Sequence, residues 1–154
     1  MKERAQAQGR RQRLVCPEEA AFLDLLRTAD IISRPVAQVL KTEDLSPTQY
    51  NVLRILRGSP DGLTCGEIGN RMITRDPDIT RLLDRLEKRS LISRCRESKD
   101  RRMVLTRIAP EGLELLARLD KPVEDTHRKL LGHLGQERLR ALAGLLAACR
   151  GGLG

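Results

Sequence analysis

The stretch DPDITRLLDRLEKRSLISRCRESKDRRMVLTRIAPEG, residues 76–112, decides the fold. Asp76 and Pro77 read as a helix start, because Asp can cap and a proline at the first helical position gives up an N–H that has no partner there. Ile79, Leu82, Leu83 and Leu86 then recur at i, i+3, i+4 and i+7, a single apolar helical stripe. Arg81, Asp84 and Lys88 fall on the opposite face, with Thr80 and Arg85 beside them. Residues 91–96 and 102–108 are short, β-prone runs that can pair as a hairpin around the polar ESKDR segment. Pro110 and Glu111 open a further helix.

The elements upstream give this stretch its meaning. Ser46-Pro47-Thr48-Gln49 is a capping box with proline at the first helical position, and the helix behind it buries Tyr50, Val52, Leu53 and Leu56. Gly58 to Gly62 is a turn of Gly, Ser, Pro and Asp. Thr64-Cys65-Gly66-Glu67 is a second capping box, opening a short helix that carries Ile68 and Met72. A short helix, a turn over residues 73–76 and a longer amphipathic helix make a helix-turn-helix. With the basic hairpin added, the expected fold is mainly α with a small β-hairpin wing: a winged helix-turn-helix plus a helical dimerisation domain. In that arrangement the second helix enters the major groove and the hairpin reaches the flanking backbone or minor groove. A solvated amphipathic helix beside a surface hairpin is the plainer alternative for these residues taken alone.

Charge favours the nucleic-acid reading. The chain of 154 residues carries a formal +8, with a pI near 9.9, which points to a polyanionic partner. Residues 71–102 hold eleven Lys/Arg against six Asp/Glu, and residues 1–13 hold five against one. The remainder is nearly neutral, so the positive charge is concentrated. There is one Phe, one Tyr and no Trp, so the core must be aliphatic, as suits packed helices.

Residues 1–16 form a basic arm expected to be disordered, either touching phosphates or serving as a solubilising tail. Residues 17–43 read as a dimerisation helix with apolar positions Phe22, Leu25, Leu26, Ala29, Ile32, Val36, Val39 and Leu40, kinked at Pro35. Residues 44–109 form the DNA-binding domain. Residues 110–150 return to leucine-rich helices, broken between Gly132 and Gly135, with more leucine than a small reading unit needs. Leu142 and Leu146 share one face of the last helix and are expected to pack between subunits.

The same residues exclude other classes. Cys16, Cys65, Cys95 and Cys149 form no C-x-x-C pair, and His127 and His133 complete no metal-ligand spacing. No nucleophile–base set or phosphate-cradling glycine loop is present, so neither an enzyme nor a cofactor is expected. No apolar run spans a membrane and no secretory h-region follows the basic start, so the expected location is cytoplasmic. Cys16, just before a helix start, and Cys65, at the head of its capped helix, are the candidate redox-sensing thiols. Cys95 and Cys149 read as strand and core thiols.

The pieces LSPTQYNVLRIL (45–56), LTCGEIGNRM (63–72), ITRLLDRLEKRSLISR (79–94), KDRR (99–102) and IAPEG (108–112) together resemble the MarR (multiple-antibiotic-resistance regulator) family over residues 18–150. The resemblance implies a homodimer whose first and last helices form the dimerisation domain. It implies a recognition helix in the major groove of double-stranded DNA at a pseudo-palindromic operator, and a wing in the minor groove. It also implies a small aromatic or phenolic effector that releases a repressor from DNA; a thiol-based redox repressor of the same fold and an interaction module without DNA binding are the alternatives. The family's D-x-R wing signature falls on Asp100 and Arg102, flanked by Lys99 and Arg101. On the helix and the turn before it, Thr74, Arg75, Asp78, Thr80 and Arg81 are the candidates for base-edge or nearby backbone contacts. Arg85 and Lys88 are expected to meet phosphates or solvent, and Asp84 to orient a basic side chain. Two departures bear on stability: Ser90 stands where the family has glycine in a left-handed turn, and Ala109 where it has a capping threonine.

Overall fold

The computed structural model describes residues 16–96 and 103–152. The order is α1 (Pro17–Lys41), α2 (Pro47–Arg57), α3 (Cys65–Arg71), α4 (Ile79–Lys88), β1 (Ile92–Arg96), β2 (Val104–Ile108) and α5 (Pro110–Leu131). A single 3₁₀ turn (Gly132–Leu134) then leads to α6 (Gly135–Gly151). Both capping boxes are formed: Ser46 with Gln49 at the head of α2, and Thr64 with Glu67 at the head of α3. Pro35, where the sequence predicts a kink, lies inside α1 without interrupting it.

One boundary differs from the sequence reading. The recognition helix starts at Ile79, not at Pro77. Asp76 Oδ1 accepts the N–H of Asp78 at 2.8 Å, which folds residues 76–78 into a side-chain-stabilised turn with Pro77 at its apex. Asp78 is the cap instead: its Oδ1 accepts the Arg81 N–H at 3.4 Å and its carbonyl accepts the Leu82 N–H at 3.1 Å.

The core joins one end of α1 to α2, α3, α4, the hairpin and the first half of α5. Leu40, Val52, Leu53, Leu56, Ile68, Leu83, Leu86, Leu116 and Leu119 are all essentially inaccessible. β1 and β2 pair antiparallel with Ile92 opposite Ile108 and Arg96 opposite Val104. The sequence reading missed a third rung: Leu63 pairs with Thr106 through two backbone hydrogen bonds of 3.0 and 2.8 Å. Gly62 permits it, with φ +90 and no room for a side chain against Arg107 and the Thr106 carbonyl. By contrast α6 buries none of its residues and α1 only Leu40, so these two helices leave Phe22, Leu25, Leu26, Leu142 and Leu145 exposed. Cys149, read from the sequence as a core thiol, is exposed on α6 for the same reason. No helix among the described residues is long and apolar enough to cross a membrane.

Both anticipated weak points are present. Ser90 has φ 57, and Ala109 leaves α5 without a side-chain cap. Close by, Gly112 sits where any Cβ would collide with the Leu91 carbonyl and with Ile108. Ser90→Gly should therefore stabilise the fold by about 0.5–1 kcal/mol, the relief of left-handed strain less the added freedom of the unfolded chain. Gly112→Ala should destabilise it by about 1–3 kcal/mol through overpacking. Thermal melts of the two variants should move in opposite directions.

Candidate nucleic-acid interface

Residues of the reading head separate by periodicity alone. On α4, Leu82, Leu83 and Leu86 face the core, so Thr80, Arg81, Arg85 and Lys88 face solvent. Thr74 and Arg75 are exposed in the α3–α4 turn, and Asp78 is exposed at the helix start. Asp78, Thr80, Arg81, Arg85 and Lys88 thus share the exposed side of α4 and its cap, and Thr74 and Arg75 are exposed in the turn that precedes it. Arg81 lies 3.4 Å from Asp78, with both side chains mostly in water, so that ion pair is weak and leaves Arg81 available to another anion. Arg85 and Lys88 have no carboxylate partner among the described residues. Lys99, Asp100, Arg101 and Arg102, the expected wing tip, lie outside the described residues.

Asp84 was expected to orient a basic side chain, and the residue it holds is Arg94 of β1. The Arg94 guanidinium donates to Asp84 Oδ1 at 2.6 Å and, through Nε, to Glu87 Oε2 at 2.9 Å. Its side chain is only 25% exposed, so this fork ties the first wing strand to the recognition helix in a partly dry setting. The Arg94 hydrogen bond holds the Glu87 carboxyl below the usual carboxylate range, and the same contact raises the Arg94 guanidinium. The fork also offsets part of the negative charge of two carboxylates that would otherwise repel phosphates. Sequence reasoning missed Arg94 as a functional residue. The signal was present in the period-two pattern: Arg94 shares a strand face with buried Ile92 and lies seven residues beyond Glu87.

Further ties run from the reading head to the long helices. Arg89, the C-cap of α4, donates to the carbonyls of Asp44 and Glu43 at 2.6 and 3.0 Å. Arg118 of α5 grips the Glu43 carboxylate with two bonds of 2.9 Å, which lowers the Glu43 pKa. Arg57 of α2 meets Asp120 of α5 through one guanidinium nitrogen, Nη1, which lies 3.0 and 2.8 Å from the two carboxylate oxygens. The two sensor candidates sit at helix starts. Cys16 is the exposed N-cap of α1, its Sγ accepting the Glu19 N–H at 3.5 Å, and Cys65 is the half-buried first residue of α3.

A three-helix reading head with a two-stranded wing and an exposed cationic recognition helix defines a winged helix-turn-helix DNA-binding protein. The MarR family profile matches residues 45–104, from just before α2 to the first residue of β2. The transcriptional regulator PecS of Dickeya dadantii is 30% identical over 125 residues, covering 78% of this chain and 75% of PecS. A MarR transcription factor structure from Planctomyces limnophilus is 36% identical, covers 88% of this chain and 99% of that one, and superposes with a TM-score of 0.67. The transcriptional repressor CouR, solved bound to a 23-mer DNA duplex, is 29% identical with a TM-score of 0.73, covering 88% of this chain and 92% of CouR. The chain belongs to the MarR family of DNA-binding transcriptional regulators.

The Arg94 fork makes a pH-dependent prediction. A carboxyl with a depressed pKa contributes fully above its ordinary value, and that contribution is lost as pH falls through the folded-state pKa. Arg94→Ala should therefore cost about 1 kcal/mol near neutrality, a charge-assisted bond discounted for partial exposure. The gap between variant and wild type in chemical denaturation should close on acidification through the carboxylate range.

Proposed function

We propose that this chain works in the cytoplasm as a homodimeric repressor, released from a pseudo-palindromic operator by a small aromatic or phenolic acid. The observation that carries the DNA-reading part is the exposed strip of Thr74, Arg75, Thr80, Arg81, Arg85 and Lys88 on a helix braced to its wing. CouR, similar over most of its length, is a repressor bound to duplex DNA, which supports the sign of regulation.

The dimer reading rests on unpartnered apolar surface. Phe22 and Leu26 on α1 are more than half exposed, and Leu145 on α6 is 67% exposed. A groove of about 380 Å³ between α1, α5 and α6 is lined by Leu25, Ala29, Ile32, Leu131, Leu142 and Leu146. Apolar area on that scale in one chain calls for a covering surface, and a two-fold copy supplies it with the same helices. Two reading heads related by that two-fold require half-sites about one helical turn apart.

The effector reading rests on a second cleft, of about 480 Å³, between α1, α2 and α5. Val36, Leu40, Tyr50 and Ile55 give it apolar walls, Arg54 supplies a cation, and His127 supplies ring nitrogens that can hydrogen-bond. The Arg54 guanidinium lies 5.8 Å from the centre of the Tyr50 ring. An aromatic ring against the aliphatic wall with its carboxylate toward Arg54 fits that division. Release then follows from tighter ligand binding to the arrangement of reading heads that does not match the operator.

Selection of genomic fragments on the immobilised protein should recover a shared inverted repeat. Its binding should weaken with salt by about 0.9 log units per log unit for each phosphate neutralised. A slope near zero, or fragments with no common sequence, would overturn the reading. Leu142→Glu should give monomer or unfolded chain in sedimentation, because a charge at that position is costly to bury without a partner. A folded dimer of that variant would move the interface elsewhere.

A further inference from the structure

The α3–α4 turn is anchored from α2. Met72, the C-cap of α3, is buried, whereas Ile73 is 88% exposed, the most exposed large apolar side chain among the described residues. The Ile73 N–H continues no helix; it donates to Oδ1 of Asn51 at 2.9 Å. Thr74 and Arg75 follow directly, so this bond fixes the segment that presents the first two candidates for DNA contact. Chemistry sets which end of the amide meets the turn: a backbone N–H needs the oxygen, so the Asn51 NH₂ points away from it. That NH₂ has no protein acceptor among the described residues.

Asn51 and Ile73 also both border the cleft between α1, α2 and α5. Ile73 is the one residue of the α3–α4 turn in that cleft wall, and Asn51 is the wall residue bonded to it. The cleft and the reading strip therefore meet at one side-chain-to-backbone hydrogen bond.

We propose that Asn51 is the positioning residue of the DNA-reading turn and the link through which occupancy of the cleft reaches it. An occupant that accepts a hydrogen bond from the Asn51 NH₂, or pushes the Ile73 side chain, changes the direction of the Asn51–Ile73 bond. The turn then shifts relative to α4, and Thr74 and Arg75 change position relative to Arg81 and Arg85. The coupling half rests on the effector reading of the cleft; the positioning half does not.

The test has two arms, both on the full chain with the operator recovered by selection. In the first, ligand-free wild type, Asn51→Ala and Asn51→Asp are compared by amide hydrogen exchange at Ile73 and by operator affinity. Asn51→Ala should expose the Ile73 amide and weaken operator binding about 3- to 10-fold, the worth of one net hydrogen bond. Asn51→Asp keeps an acceptor oxygen and should keep the amide protected. Unchanged exchange in Asn51→Ala, or faster exchange with wild-type operator affinity, overturns the positioning role. In the second arm the cleft is narrowed from its exposed rim by His127→Trp, in the wild-type and Asn51→Ala backgrounds; His127→Phe replaces it if the tryptophan variant does not fold. Operator binding should weaken in the wild-type background and change clearly less when Asn51 is absent. Equal losses in both backgrounds, or no loss in either, overturn the coupling while the first arm still decides the positioning role.

Discussion

Burial of Leu82, Leu83 and Leu86 is the constraint from which the reading surface follows. Each is inaccessible or nearly so, and each contributes roughly 1.5–3 kcal/mol by leaving water. Their spacing fixes the rotation of α4 about its own axis, since a helix turned by one residue would expose leucine and bury arginine. With that rotation set, Thr80, Arg81, Arg85 and Lys88 face outward whatever their own preferences. The cationic strip is thus held in place by apolar packing on the other side of the helix, and its members are free to meet phosphates and bases.

Polar ties then set how that helix is held relative to its neighbours. Arg94 of the wing reaches Asp84 and Glu87 of α4, Arg89 reaches the backbone of the α1–α2 loop, Arg118 of α5 reaches that same loop, and Arg57 of α2 reaches Asp120 of α5. Most of these side chains are partly in water, so each adds modestly to stability. Their value is geometric. Forked guanidinium contacts fix direction as well as distance, so they hold the hairpin and α4 at a set angle to each other.

The fold divides its apolar surface unevenly. The reading head closes its own core around α2, α4 and α5, while α1 and α6 carry leucines that the single chain leaves in water. Those helices are regular without being buried, a state that packing against another surface completes. The cleft between α1, α2 and α5 lies where the two regions meet, which places it beside the joint between frame and reading head.

Much of this was legible in the sequence because it is local. Capping boxes at Ser46 and Thr64, the apolar stripe of α4 and the break after α5 each depend on residues within a few positions of one another, and the hairpin pairs residues no more than 16 apart. The left-handed Ser90 and the uncapped Ala109 were legible only through the family resemblance, as departures from its usual glycine and threonine. The helix start was misplaced by two residues because two aspartates flank Pro77 and either can cap; the Asp76 side chain resolves the choice by closing a turn onto Asp78. Contacts between residues far apart in the chain left no local trace. Leu63 pairing with Thr106, Asn51 pinning Ile73 and Arg118 gripping Glu43 join segments 43, 22 and 75 positions apart. The sequence determined which faces were apolar and which cationic. Only the tertiary structure decided which of those faces would meet, because that depends on how the helices cross and not on the order of residues within any one of them.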